Sequence, residues 1–311
     1  MVRYVALFPG QGSQSVGMGR ELAEAYPESA AVFSLADEVL GERLSALCFE
    51  GPEEALRLTR NTQPALLTVS TAAWAAWSKR SSPPAAAAGH SLGEYSALVA
   101  AGVLPFADAL RAVRLRGEAM QEAVPLGTGS MAALIGADDS AVEQLCRAQR
   151  REGEVLVPAN FNAPGQVVIA GHHDAVARAV EAAPEAGVRR AVPLPVSAPF
   201  HCPLMLPAQQ RLAAFLETLD FRDPAFPVLA NVDAAPVVSG EQARAKLIEQ
   251  VSSPVLWART MQALGEDYEA SLGVEIGAGR VLAGLARKIP GAPRVLAAGT
   301  PEAIDKALAA L

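Results

Sequence analysis

Cysteine, histidine and aromatic residues are all scarce in this chain, and each scarcity excludes a class of protein. The three cysteines, Cys48, Cys146 and Cys202, are odd in number and share no metal-ligand spacing. No disulfide framework or zinc module is encoded, and reduced thiols in a reducing compartment are expected. No apolar run reaches the length of a membrane helix, and Met1-Val2-Arg3-Tyr4-Val5-Ala6-Leu7-Phe8 is interrupted by Pro9 too soon for a signal peptide. A cytoplasmic protein with no membrane partner is the expectation. Charged residues are only 19% of the chain and the formal net charge is -7, which argues against a nucleic-acid partner. What remains is a 51% hydrophobic chain of 311 residues without a low-complexity linker or charge run. That composition fits an α/β enzyme with a sizeable core, built as one large domain with an insertion or as two domains in series.

The chain is organised around Gly89-His90-Ser91-Leu92-Gly93. Gly-x-Ser-x-Gly between a strand and a helix is a nucleophile elbow, in which a sharp turn exposes the serine hydroxyl at a helix N-terminus. Pro83-Pro84 and four alanines precede it, compatible with a short buried strand although Ala is a poor strand former. Tyr95, Leu98, Val99 and Gly102 then recur at helical spacing. Ser91 is therefore the candidate acyl-transfer nucleophile.

Tyr4 to Phe8 reads as a first buried strand ending in Pro9-Gly10-Gln11-Gly12-Ser13-Gln14. Position 15 is Ser where a dinucleotide fingerprint needs glycine, so the turn is not a nucleotide loop. It can place backbone N–H groups and the Gln11 amide at the sheet edge as oxyanion donors. Helices are predicted over 18–26, 27–40, 52–58 and 64–77, with Gln63 just ahead of the last.

From Phe106 onward, 100° steps put Phe106, Ala109, Leu110, Val113, Gly117 and Met120 on one face. Arg116 projects at the edge of that face, where a partly buried guanidinium needs a partner. It is either half of a distant ion pair or a fork for a substrate carboxylate. Arg114 and Glu118 can pair across one turn.

Between Gly127 and Pro195 the order β-α-β-β-α-β appears, the split pattern of a ferredoxin-like unit inserted in the larger domain. Ala163-Pro164-Gly165 joins its middle strands as a hairpin, and Asn160 and Asn162 share a strand face. The domains are read as 1–126 and 197–311 for the large α/β part, with a parallel sheet resembling that of α/β-hydrolases, and 127–196 for the insertion.

An acyl-transfer serine needs a base, and only His90, His172, His173 and His201 are available. His90 adjoins Ser91, so its side chain diverges, and His172-His173 open a helix of the insertion. His201 lies in the proline-framed loop where the chain re-enters the large domain, and is the candidate base. No Asp or Glu stands out as a third triad member, so a carbonyl or amide is expected to orient His201 instead.

Several stretches occur together in order: Gly10-Gln11-Gly12-Ser13-Gln14, Thr62-Gln63-Pro64-Ala65-Leu66-Leu67, Gly89 to Tyr95, Arg116-Gly117 with Met120-Gln121, Asn160 to Gln166, and Phe200-His201. The whole chain thereby resembles the malonyl-CoA:acyl carrier protein transacylases of fatty acid synthesis and the acyltransferase domains of polyketide synthases. The resemblance implies that Ser91 is acylated, that His201 is its base, and that Arg116 holds the malonyl carboxylate. It further implies an oxyanion hole from Gln11 and the N–H of Leu92, and a main-chain carbonyl at Gln250 that orients His201. Gln63, Met120, Asn160 and Phe200 would line the acyl or pantetheine channel. Ser197-Ala198-Pro199-Phe200 departs from patterns common among relatives, but Phe200 resembles malonyl-selective rather than methylmalonyl-selective members. Malonyl-CoA and an acidic acyl carrier protein are the implied partners, with no cofactor, no metal and a monomeric chain. Arg189-Arg190, Arg280, Arg287 and Lys288 are candidate docking positions for the carrier. A serine esterase would not need Arg116, and a catalytically silent carrier-binding scaffold would not need Ser91.

Overall fold

The computed structural model describes residues 3–196 and 198–311. Ser197, the first residue of the expected re-entry loop, lies outside the described residues, as do Met1 and Val2. Two sheets organise the chain. The six-stranded sheet has the order β10-β9-β1-β2-β7-β8, formed by β1 (Tyr4–Phe8), β2 (Ala86–Gly89), β7 (Val228–Leu229), β8 (Pro236–Val237), β9 (Leu272–Glu275) and β10 (Arg294–Ala297). All its neighbours are parallel except β8, which runs antiparallel to β7.

Helices cover both faces, so successive residues of β1 go to different cores. Tyr4, Ala6 and Phe8 join one apolar cluster, while Val5 and Leu7 join the other. This double burial makes β1 a continuous apolar run rather than an alternating one. The alanine strand β2 is central, held on one side by β1 and on the other by β7. Its extended form comes from these two ladders, which outweigh the low strand preference of alanine.

The second sheet, order β4-β5-β3-β6, is antiparallel and contains β3 (Gly129–Ile135), β4 (Leu156–Ala163), β5 (Gln166–His172) and β6 (Arg190–Pro193). With helices Asp139–Gln149 and His173–Ala182 between them, these strands give the ferredoxin-like order. β4 carries bulges between Pro158 and Asn160 and between Phe161 and Ala163, so the simple period of two does not hold there. The insertion is tied to the segment just before helix Trp257–Glu266 by an isolated bridge: Phe161 N–H donates to Val255 O at 2.9 Å, and Val255 N–H donates to Ala159 O at 2.9 Å.

Two expectations need correction. The helix expected from Pro64 begins at Thr59 and runs to Ser78, with Pro64 inside it. Pro64 lies past the first turn and forgoes the bond its N–H would make to Arg60 O, while the Thr62 hydroxyl holds the start of the helix by donating to Leu56 O at 2.6 Å. Arg114 does not pair with Glu118: it reaches Asn61 Oδ1 at 2.9 Å and forms an ion pair with Glu42, from parts of the chain no local spacing reveals. Helix Val281–Ala286 is followed by β10 and helix Pro301–Leu308, which close the described chain. Among the described residues no helix is long and apolar enough to cross a membrane.

Candidate active site

Strands β1, β2 and β7 run parallel, and their carboxyl ends bring Gln11, Ser91 and Asn231 to one edge of the sheet. Ser91 has φ 51° and ψ -106°, and it caps helix Leu92–Ala100. A non-glycine residue at positive φ is strained, and the surrounding backbone holds it there. The flanking glycines serve close approach rather than unusual φ. A Cβ on Gly89 would lie 1.9 Å from the carbonyl carbon of Gly93, and one on Gly93 would lie 2.1 Å from Phe8 O. Asn231 fastens the elbow: it accepts from Ser91 N–H at 2.6 Å and donates to Gly89 O at 2.7 Å.

His201, itself at φ 57°, meets this serine. Its Nδ1 lies 2.9 Å from Gln250 O and its Nε2 lies 2.7 Å from Ser91 Oγ. A carbonyl can only accept, so Nδ1 carries the proton and Nε2 is free to take one from the hydroxyl. Burial pushes the His201 pKa down to about 3, helped by the nearby Arg116 charge and opposed by the bond to Gln250. The imidazole is thus neutral in the resting site.

Arg116 is 1% exposed, deeper than the helix-edge position predicted from the sequence. The reason lies at Gly117, where a Cβ would sit 2.7 Å from Arg60 Cα. Glycine there lets helix Phe106–Glu122 approach helix Thr59–Ser78 closely, and the arginine is enclosed between them and the elbow. Its Nη1 donates to Gln63 Oε1 at 2.9 Å, and its Nη2 donates to Ser91 Oγ at 3.1 Å and to Gln250 Oε1 at 3.0 Å. The guanidinium lies 5.8 Å from the centre of the Tyr95 ring, and its Nε has no partner. Among the described residues no carboxylate lies within ion-pair distance of it. Burial lowers its pKa, the ordinary cost of a desolvated cation.

A cavity of about 120 Å³ opens over Ser91, His201 and Arg116, and Gln11, Gln63, Met120, Asn160 and Phe200 all line it. Leu92 opens the elbow helix, whose first amides have no partner within the helix. The structure thus brings Gln11, Gln63, Ser91, Arg116, Met120, Asn160, Phe200 and His201 to one cavity. Reading the sequence did not single out Met131, Leu194 and Val196, which also line it, because apolar residues look alike whether they face a core or a cavity.

It also missed Glu94 and Asn231, both buried. Glu94 accepts from Asn231 N–H at 2.9 Å and from Gln250 Nε2 at 2.8 Å, while burial raises its pKa to about 7 against the pull of these donors. His90 also lines the cavity but is not the serine's partner: it makes a 2.7 Å hydrogen bond to Asn162 Oδ1, linking the elbow to β4.

A serine at a helix N-terminus, a neutral imidazole on its hydroxyl and a buried cation beside both form an acyl-transfer constellation for an anionic acyl group. The acyl transferase domain model matches residues 5–288. The chain belongs to this acyl transferase family. It is 48% identical to the malonyl CoA-acyl carrier protein transacylase of Escherichia coli (strain K12), over 99% of each chain. It is 46% identical to the enzyme of that name from Bacillus subtilis (strain 168), over 100% of this chain and 98% of the other. An acyl carrier protein S-malonyltransferase from Vibrio cholerae superimposes with a TM-score of 0.95 at 46% identity, covering 98% of this chain and 99% of that one. A malonyl-transacylase solved in complex with its type II polyketide acyl-carrier protein gives a TM-score of 0.96 at 46% identity, covering 99% and 100%. This acyltransferase family thus supplies the two-sheet fold described above.

Proposed function

We propose that the chain transfers a malonyl group from malonyl-CoA to the phosphopantetheine thiol of an acyl carrier protein, supplying extender units for fatty acid synthesis. The observation that carries this reading is the Arg116 guanidinium, buried with no carboxylate in ion-pair contact among the described residues and 3.1 Å from Ser91 Oγ. A malonyl thioester brings the missing carboxylate. With that group on Arg116, the thioester carbon can approach Ser91, and His201 Nε2 takes the hydroxyl proton as the Oγ–C bond forms. The Leu92 N–H and the Gln11 amide receive the charge that develops on the carbonyl oxygen. His201 then returns its proton to the leaving coenzyme A sulfur as the C–S bond breaks. The carrier thiol repeats these steps in reverse: His201 takes its proton, sulfur attacks the malonyl ester, and Ser91 Oγ recovers the proton. The cycle is ping-pong and calls on no cofactor.

Gln250 acts through its main-chain oxygen, which keeps the His201 tautomer. Gln63, Met120, Asn160 and Phe200 shape the acyl pocket. A groove of about 460 Å³ between helix His173–Ala182, the start of β3 and the end of β6 shares Met131, Leu194 and Val196 with the catalytic cavity, which supports entry of a pantetheine arm from that side. Arg189, Arg190, Arg280, Arg287 and Lys288 are exposed and available to an acidic carrier. The enzyme is read as a monomer, and three buried free thiols fit the cytoplasm. The same reading divides the chain at 126/127 and 196/197.

Intact mass after brief exposure to malonyl-CoA or acetyl-CoA tests it. A malonyl adduct that requires Ser91, is much weaker in Arg116→Ala and is discharged by carrier protein is expected. Acetyl adducts of equal yield, or loss to water as fast as to carrier, would refute it.

A further inference from the structure

The buried carboxyl of Glu94 has no place in the proton transfers above, yet it stands directly behind the group that selects the acyl chain. Gln250 has two separable functions. Its main-chain oxygen accepts from His201, and its side-chain amide contacts three groups: Nε2 donates to Ser91 O at 3.0 Å and to Glu94 Oε2 at 2.8 Å, while Oε1 accepts from Arg116 Nη2 at 3.0 Å. The amide can satisfy all of these only one way round. Reversed, its NH2 would face the guanidinium N–H groups and its oxygen would face two acceptors.

The Glu94 oxygen is itself fixed, because it also accepts Asn231 N–H at 2.9 Å, and Asn231 is bound to both Ser91 N–H and Gly89 O. We infer that Glu94 is a positioning residue for acyl-group selection: its carboxyl oxygen fixes the orientation of the Gln250 amide, and that amide holds the Arg116 guanidinium beside the nucleophile. The inference rests on the reading of Arg116 as the carboxylate clamp. It adds a line of action from the elbow helix, through one amide, to the clamp. Since the Gln63 and Ser91 contacts remain, loss of Glu94 loosens the guanidinium without releasing it.

The test is the ratio of malonyl to acetyl transfer onto Ser91, followed by rapid-quench mass measurement at several thioester concentrations. The variants are Glu94→Leu, Glu94→Gln, Gln250→Met and Glu94→Leu/Gln250→Met. Gln250→Met keeps the main-chain oxygen that serves His201 and removes only the amide. Glu94→Leu and Gln250→Met should each lower the ratio roughly tenfold, the loss of about one charge-assisted hydrogen bond at the clamp. The change should appear mainly as a raised KM for malonyl-CoA, and the double variant should be no worse than either single one. Glu94→Gln retains an acceptor oxygen and should restore the ratio.

Where Glu94→Leu does not fold, Glu94→Asp serves, since its carboxyl stops one methylene short of the amide; the same fall in ratio is expected. Equal losses of malonyl and acetyl transfer in the Glu94 variants would overturn the inference, as would multiplicative losses in the double variant. A wild-type enzyme with no malonyl preference would instead overturn the clamp reading, and this inference with it.

Discussion

Replacing Arg116 by methionine should move the acid limit of Ser91 reactivity upward. Arg116 Nη2 is 3.1 Å from Ser91 Oγ, which is 2.7 Å from His201 Nε2, so the charge and the ring nitrogen are separated by no more than about 6 Å. At an effective dielectric of about 20, two positive charges at about 6 Å repel by about 3 kcal/mol, equivalent to roughly two pH units. A neighbouring cation disfavours imidazolium, so its removal must raise the His201 pKa from about 3 toward the ordinary value. Methionine keeps much of the bulk, so the larger contribution, burial, is preserved. Malonyl-CoA cannot be the probe, because its binding depends on the same arginine. The second-order rate of inactivation by a small uncharged sulfonyl fluoride reports the neutral His201 fraction in either protein. The wild type should hold its rate to the lowest pH at which it stays folded, while Arg116→Met should lose half of its plateau rate near pH 5. Superimposable profiles would show that Arg116 does not act electrostatically on the base.

The strain at Ser91 leads to a second expectation: Ser91→Gly abolishes acylation yet stabilises the fold by about 1 kcal/mol, read from urea unfolding, because glycine accepts φ 51° freely. Gly117→Ala should cost about 1–3 kcal/mol in the same assay and weaken malonyl selection, since its Cβ would meet Arg60 Cα at 2.7 Å; an unaltered midpoint would contradict the packing argument. His201 also contributes to acid lability. Its folded pKa lies below the unfolded 6.5, so the unfolded chain binds the extra proton, and the stability tied to the neutral ring is intact above pH 6.5 and falls toward about pH 3. His201→Asn should therefore lose less stability than the wild type between pH 6.5 and 4, measured by denaturant titration at each pH.

The amino-acid sequence by itself determined the elements whose signals are local. The elbow at Gly89 to Gly93, the buried first strand at Tyr4 to Phe8 and the β-α-β-β-α-β insertion are each written in a few consecutive residues, through turn chemistry and hydrophobic period. His201 and Arg116 emerged as candidates because few histidines were available and because a helix face left one guanidinium near its apolar edge. Tertiary structure alone decided how these groups meet.

The orienting partner of His201 is a main-chain oxygen 49 residues away, and every residue has one, so only the resemblance to a known family pointed to Gln250. Asn231 reaches the elbow from 140 residues downstream, and Arg114 finds Glu42 rather than its helical neighbour. Gly89 and Gly93 looked like turn residues and Gly117 like one more position on an apolar helix face, but at all three another part of the backbone passes too close for a Cβ. Contacts of that kind depend on where strand ends and helix faces arrive in space, and neither propensity nor periodicity in one stretch carries that information.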